Sequence, residues 1–260
     1  MIKFTVATVT YNAGKTIGRT LESVAAQTYA YVEHLIIDGC STDATMAEIQ
    51  KYVERSTGQR DAHTIVLVRE PDNGLYDAMN KAIAQAKGHY IIFLNAGDMF
   101  HTHTQLTEIA EQLERYNPSR MPAVLYGETD LVDDEGRFLR HRRLQAPKHL
   151  KSSSFLQGML VCHQSFYART DIARANRYDL RYHFSADYDW CIRILRRAER
   201  RGLPIHNTGL ILTDYLSEGL TTSNHRRSLM ERLRLMAHHY GWPKALAAHA
   251  WFVIRAIVKR

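Results

Sequence analysis

Three cysteines are scattered through 260 residues, at Cys40, Cys162 and Cys191. They have no metal-ligand spacing and form no even set to pair. That excludes a disulfide framework and a cysteine-built zinc module, and it fits a reducing compartment such as the cytosol. No uninterrupted apolar run reaches the ~20 residues that a bilayer-spanning helix needs. The first residues, Met1-Ile2-Lys3-Phe4-Thr5-Val6, run straight into a strand pattern, so no secretory leader is expected. Internal repeats, low-complexity segments and an RNA-recognition motif are absent too. So is a glycine-rich phosphate loop near the N-terminus: the turn from Thr10 to Gly14 holds one glycine. That weakens a nucleotidyltransferase reading.

What remains is an ordinary globular composition, 45% hydrophobic and 23% charged, with a net charge of +7. The isoelectric point is about 9.3. The length suits one large domain or one domain with appendages. The basic excess suits an anionic partner: a nucleoside diphosphate, an anionic lipid or a nucleic acid. The 14 tyrosines and 34 Lys and Arg keep a non-catalytic RNA- or polysaccharide-binding protein in view. Yet the positive charges gather at 137–143, 193–201 and the tail, so nucleic acid is not expected.

The first half alternates apolar runs with helical periodicity. Strands are expected at Phe4–Thr10, 34–38, Thr64–Arg69 and 90–94. Helices are expected on Ile17, Leu21, Val24 and Ala25, from the turn after Asp38 to about Val53, and on Leu75, Met79, Ala82, Ile83 and Ala86 up to Gly88. Such alternation implies right-handed crossovers and a mostly parallel sheet. In the second half, strands are expected at 123–127, 161–167 and 210–216, and a hairpin joins 129–132 to 137–140. Ser185 reads as the N-cap of a helix with an apolar stripe of Tyr188, Cys191, Ile192 and Leu195, closed at Gly202. From about Asn224 two tail helices are expected, split at Gly241-Trp242-Pro243.

Three acidic sites follow strands or open helices. Asp38, in Asp38-Gly39-Cys40-Ser41-Thr42-Asp43, lies past a strand's carboxyl end, where open α/β sheets bind ligands. Asp38 and Ser41 serve equally well as turn and helix caps. Asn95-Ala96-Gly97-Asp98 follows a buried strand; it suits a divalent cation bridging two phosphates, or simply a turn. Asp187 and Asp189 stand in the first turn of a helix, where the helix dipole favours carboxylates whether or not they do chemistry.

These stretches recur together. Thr8-Val9-Thr10-Tyr11-Asn12, the Asp38 turn, Asp72-Asn73-Gly74-Leu75-Tyr76-Asp77-Ala78-Met79-Asn80, Asn95-Ala96-Gly97-Asp98 and Asp187 stand in this order along the chain. Together they resemble family 2 glycosyltransferases of the GT-A fold, over roughly residues 2–220. The likeness is closest to bacterial surface-polysaccharide enzymes of the colanic-acid type, on the 71–80 run and His163-Gln164-Ser165-Phe166-Tyr167. The resemblance implies an α/β fold of GT-A type: a Rossmann-like, mostly parallel central sheet flanked by helices, with a C-terminal helical extension. It implies a GT-A domain over 1–223, with a nucleotide-sugar-binding half (1–127) and an acceptor and catalytic half (128–223), then amphipathic helices over 224–260.

By the same resemblance, Thr10, Tyr11 and Asn12 lie under the nucleoside and Asp38 accepts a hydrogen bond from the base. Asp72 and Asn73 lie near the base or diphosphate, Asn95 and Asp98 occupy the metal motif, and Asp187 is the catalytic base. Asp189 is expected to be structural, touching a neighbouring loop. The implied partners are a nucleotide-sugar donor, with a UDP-sugar ahead of a GDP-sugar, a divalent metal (Mn²⁺ or Mg²⁺), and a glycan or polyprenyl-diphosphate-linked acceptor. The metal motif departs from the usual Asp-x-Asp-Asp, because Asn95 and Gly97 replace two carboxylates. Asp98 then stands as the metal ligand. His163 is a candidate diphosphate, acceptor or metal contact, although a packed core histidine is the stronger reading. The tail mixes Leu229, Leu233, Leu235 and Met236 with Arg226, Arg227, Arg232 and Arg234, and ends on an aromatic, basic helix. It suits either an interfacial helix on anionic lipid or packing on the domain or on a second subunit. The expected location is cytoplasmic, with the first tail reading adding peripheral contact at the inner face of the plasma membrane.

Overall fold

The computed structural model describes residues 1–56, 63–217 and 225–258, with backbone alone at 225, 226, 253 and 255–258. The expected tail start at Asn224 and the basic end of the last helix (Arg255, Lys259, Arg260) lie outside the described residues or side chains.

Four strands build the parallel half: β1 (Phe4–Thr10), β2 (Val32–Asp38), β3 (Thr64–Arg69) and β4 (Tyr90–Phe93). Every residue of β1, β2 and β4 is buried, as expected of strands covered on both faces, whereas β3 at the sheet edge alternates with exposed positions. The crossovers are α1 (Ile17–Ala25), α2 (Thr45–Ser56) and α3 (Leu75–Gln85). In α1 the residues Ile17, Thr20, Leu21 and Val24 form the buried stripe. Asp43 Oδ1 accepts from the Thr45 N–H at 3.0 Å and caps α2.

Beyond β4 come β5 (Met99–Phe100), α4 (Gln105–Leu113), β6 (Val124–Val132), β7 (Phe138–His141), β8 (Phe166–Arg169), α5 (Thr170–Arg174), α6 (Ala186–Arg200) and β9 (Ile205–Leu216). All nine strands form one sheet in the order β3-β2-β1-β4-β8-β6-β9-β5, with β7 on β6. The ladders of β1 with β2 and β4, β2 with β3 and β6 with β9 are parallel and carry most of the paired residues. The strands expected at 123–127 and 129–132 are one strand, β6, whose register shifts on either side of Glu128. Residue 127, the expected divide between the two halves, therefore lies inside a strand.

Three expectations are corrected, that for the Ser185 cap in part. The strand at 161–167 is a 3-10 turn over His163–Ser165 followed by β8. Its polar side chains are turned to other work: Gln164 Nε2 donates to Asp98, and Ser165 Oγ donates to the Glu128 carbonyl. Ser185 precedes α6, but its hydroxyl caps nothing and is buried without a partner. Gly88 does not end α3, which stops at Gln85. It lets the chain pass β1 so closely that a Cβ there would sit 2.4 Å from Thr5 N.

The tail forms α7 (His225–Tyr240) and α8 (Trp242–Val258), broken at Gly241, whose φ is +87°. Leu235, Met236 and Ala237 of α7 and Ala245 of α8 join the main core. Asp189 is structural, but its contact is a helix rather than a loop: His239 of α7 at 2.7 Å, with Arg193 at 2.6 Å. Arg196 donates to His239 Nδ1 at 2.9 Å. Arginine can only donate, so Nδ1 accepts, and His239 is the neutral tautomer that gives its Nε2 proton to Asp189. Among the described residues no helix is long and apolar enough to cross a membrane.

Candidate active site

Parallel strands bring their carboxyl ends to one edge. After β1 the chain winds to one side through β2 and β3, then returns to the other side at β4. In open α/β sheets such a reversal marks where ligands bind, and the loops after β1, β2, β3 and β4 lie at this edge.

The β1 and β2 loops are stitched together. The Asn12 N–H donates to Ser41 Oγ at 2.9 Å, and Asn12 Oδ1 accepts from the Thr42 N–H at 2.9 Å. Asn12 and Cys40 both take left-handed backbone, φ +49° and +63°. Asp38 is fully buried and accepts from the Ser41 N–H at 3.0 Å and the Ser41 hydroxyl at 2.5 Å, with Arg69 Nε at 3.4 Å. Its observed partners thus hold the turn. Tyr11 is 64% exposed, an aromatic face open at the rim. Gly39 lies between two of the candidates: a Cβ there would approach Asp72 Oδ2 to 2.4 Å and Tyr11 Cδ2 to 3.4 Å. Asp72 also accepts from the Gly74 N–H at 2.8 Å, while Asn73 turns to Asp77 through its N–H at 3.0 Å. Thr10 is buried and its hydroxyl lacks a protein partner.

On the β4 side, Asp98 is 3% exposed. Its Oδ2 accepts from Gln164 Nε2 at 3.0 Å and its Oδ1 from the Leu216 N–H at 3.1 Å. Burial pushes this carboxyl up to about 6, against the pull of those two donors, His163 and Arg19. The loop is braced from α1: Thr20 Oγ1 donates to the Asp98 carbonyl at 2.7 Å and accepts from the Gly97 N–H at 2.9 Å. Arg19 Nε donates to the Gly97 carbonyl at 2.6 Å, and its Nη1 donates to the carbonyls of Asp133 and Asp134 on the β6–β7 turn at 3.0 and 2.9 Å.

Asn95, His163 and Asp187 are brought together. Asn95 Nδ2 lies 3.4 Å from His163 Nε2, and His163 Nδ1 lies 3.4 Å from Asp187 Oδ2. Tyr76 OH reaches Asp187 Oδ1 at 3.2 Å, and the Tyr188 N–H donates to the same oxygen at 2.8 Å. Each ring nitrogen of His163 thus has one polar neighbour, Asn95 at Nε2 and Asp187 at Nδ1. His163 is thus buried, as the stronger reading of it held, yet bonded to two candidate residues. Burial drives the Asp187 carboxyl up. The hydrogen bond and attraction of His163, the Arg232 charge and the Tyr188 N–H outweigh it and leave the carboxyl below the ordinary aspartate value. Asp187 is therefore ionised at neutral pH, as a proton acceptor must be.

For a divalent cation, the free donor is Asn95 Oδ1, a buried amide oxygen with no protein partner. Each Asp98 oxygen already accepts one hydrogen bond and keeps one lone pair. This sparse oxygen set fits an ion such as Mg²⁺, which retains waters and takes most of its protein-side charge from one or two carboxylates plus substrate phosphates. Among the described residues two other groups bring three ligand atoms together, His101 with Asp130 and Asp214, and Asp133 with Asp134 and Glu135; Asp98 belongs to neither.

Sequence reasoning gave no role to Tyr76, Gln164, Arg19 or Thr20. Tyr76 and Gln164 lie inside the two recurring runs and were within reach. Arg19 and Thr20 sit on a helix whose sequence carries no sign of the loop it braces.

The switch point of a parallel sheet, edged by strand-end carboxylates and continued by a mixed half after which α6 supplies a further carboxylate, defines a GT-A-type fold. The family model for glycosyl transferase family 2 matches residues 5–174, and the chain belongs to that family: it is a glycosyltransferase. Asp187 lies beyond the matched span. The chain is 31% identical over 198 residues to the amylovoran biosynthesis glycosyltransferase AmsB of Erwinia amylovora, covering 74% of this chain and 64% of that one. Among solved structures it is similar to S. aureus TarS 1-349 in complex with UDP-GlcNAc (TM-score 0.67, 17% identity, 91% of this chain and 66% of that one). It is also similar to the mannosyltransferase PcManGT of Pyrobaculum calidifontis in complex with GDP-Man and Mn²⁺ (TM-score 0.61, 17% identity, 97% and 75%). At such identities the two structures bear on the fold alone.

Proposed function

We propose that this chain is an inverting glycosyltransferase of polysaccharide assembly. It moves a sugar from a nucleoside diphosphate sugar, a UDP-sugar before a GDP-sugar, to a glycan or polyprenyl-diphosphate-linked acceptor. The observation that carries this reading is the Asp187 carboxylate, held by Tyr76 and Tyr188, beside His163 and connected through it to Asn95 after β4. In it, Asp187 accepts the proton of the acceptor hydroxyl as that oxygen attacks the anomeric carbon, and the nucleoside diphosphate leaves from the opposite face. Its low basicity suffices because position and timing, rather than strength, supply the effect. His163 and Tyr76 fix the carboxylate's orientation. Tyr11 packs on the nucleoside, and Thr10, Asn12, Asp38, Asp72 and Asn73 shape the base and ribose pocket. A divalent cation held at Asn95 and Asp98 supplies charge neutralisation to the leaving diphosphate. The name of AmsB supports the polysaccharide assignment, and those of the two solved neighbours support nucleotide-sugar use and, for one of them, Mn²⁺. The division of labour at residue 127 belongs to the same reading, with the donor in the first half and the acceptor in the second.

The test is thermal unfolding with UDP, GDP, dTDP and CDP, each with and without Mn²⁺ or Mg²⁺. A ligand of the folded state at 100 times its dissociation constant stabilises by about 2.7 kcal/mol. Stabilisation by UDP that depends on metal is expected; no response to any diphosphate contradicts the donor site.

Peripheral membrane contact through α8 belongs to the same proposal. Trp242, Leu246, Trp251 and Ile254 are exposed on this helix, and Lys244 adds charge beside them. Flotation with anionic vesicles should carry the full chain upward and fail for Trp242→Ala/Trp251→Ala. Equal flotation of both chains removes α8 as the anchor.

A further inference from the structure

The last three residues before α6, 183–185, are not held by side chains of their own loop. The Ser185 hydroxyl is buried and unpartnered. Instead three successive N–H groups converge on the carboxylate of Glu231, in α7. His183 donates to Oε2 at 2.9 Å, and Phe184 and Ser185 donate to Oε1 at 2.8 and 2.7 Å. Successive amides wrapped around one anion form a nest, and bonds to a charged acceptor are about twice as strong as neutral ones. The same helix grips the first turns of α6 at two more points: His239 holds Asp189, and the Arg232 guanidinium lies 5.7 Å from the centre of the Tyr188 ring. Asp187 lies between these points, two residues after Ser185, and its Oδ1 is fixed by the Tyr188 N–H.

We infer that Glu231 is a positioning residue for sugar transfer: it sets the start of α6 and, through it, the Asp187 carboxylate. The inference rests on Asp187 being the base. It makes the first tail helix part of the catalytic apparatus rather than an appendage. Glu231 touches no substrate in this account. A carboxylate displaced by about 1 Å can cost on the order of 100-fold in rate. Gln at this position keeps the carbonyl oxygen that two of the three N–H groups need; Ala keeps none.

The test is a double-mutant cycle on the full chain, with Glu231→Ala, Glu231→Gln, Asp187→Asn and Asp187→Asn/Glu231→Ala, read by single-turnover transfer, donor KM and nucleotide-induced thermal shift. Glu231→Ala is expected to lower kcat by roughly 10- to 100-fold with donor KM and thermal shift unchanged, and Glu231→Gln to recover most of the loss. On the Asp187→Asn background, Glu231→Ala should cost nothing further, because the group it positions is gone. The same fold-loss on both backgrounds overturns the inference, as does a wild-type kcat for Glu231→Ala. If Glu231→Ala does not fold, a folded Glu231→Gln carries the decision: a lowered kcat at unchanged KM supports the role, and a wild-type kcat overturns it. Failure of the base assignment shows separately, as near-normal transfer by Asp187→Asn alone.

Discussion

Replacing Asp187 by Asn is expected to lower kcat by roughly 10²- to 10⁴-fold while donor affinity stays within about threefold, the range that a positioned general base supplies. The substitution is close to isosteric. Asn Oδ1 can still accept from the Tyr188 N–H and Tyr76 OH, so the helix start keeps two of its ties. The third contact, 3.4 Å from His163 Nδ1, changes from a carboxylate oxygen to an amide group, a local adjustment. In the proposed reading the donor is held by the loops after β1, β2, β3 and β4 rather than by Asp187, so titration with the nucleoside diphosphate should give a nearly unchanged dissociation constant. A parallel loss of binding and rate would instead make Asp187 a donor-site residue, and near-normal transfer would remove it from the chemistry.

The second large effect is on stability. Asp98 in the folded chain titrates at about 6 because it is buried. In the unfolded chain an aspartate titrates near ~3.9. Between those values the unfolded chain gives up its proton first, so this group's contribution to stability falls as pH rises from about 4 to about 6. A shift of this size corresponds to up to about 3 kcal/mol. Asp98→Asn removes the titration. Urea unfolding of the wild type at ~pH 4 and ~pH 7 should therefore show a decline that the variant lacks, by on the order of 2 to 3 kcal/mol. The new amide stands against Gln164 and lowers the variant's stability by a roughly pH-independent amount, so the slope, not the level, is the readout. Identical slopes contradict a strained Asp98 carboxylate. The same pair tests the cation. A divalent ion on Asp98 favours its ionised form, so Mn²⁺ with a nucleoside diphosphate should restore wild-type stability at neutral pH and do less for the Asp98→Asn chain. An equal response places the ion away from Asp98.

The parallel half of the fold was legible because its signals are local. Strands β1 and β2 are rich in β-branched and aliphatic residues, and the stripe of α1 repeats at helical spacing. The turn after Asp38 was legible for the same reason, since Ser41 and Asp43 act within a few residues of themselves. The 161–167 segment misled because Val161 and Phe166 suggest a strand, while His163, Gln164 and Ser165 between them spend their side chains on Asp187, Asp98 and Glu128. No sequence spacing announces those partners. Glu231 reaches a loop 46 residues earlier, and Arg19 reaches a turn more than 100 residues later; no local pattern around either marks that partner. Motif order therefore pointed to the acidic groups at the strand ends, and long-range packing decided how each is held.

The central claim, a single displacement driven by Asp187, is tested most directly by the anomeric configuration of the product. Proton NMR of the initial product, formed from the nucleotide sugar whose diphosphate stabilises the protein, should show a new linkage inverted relative to the donor. A product that retains the donor's configuration would contradict the account.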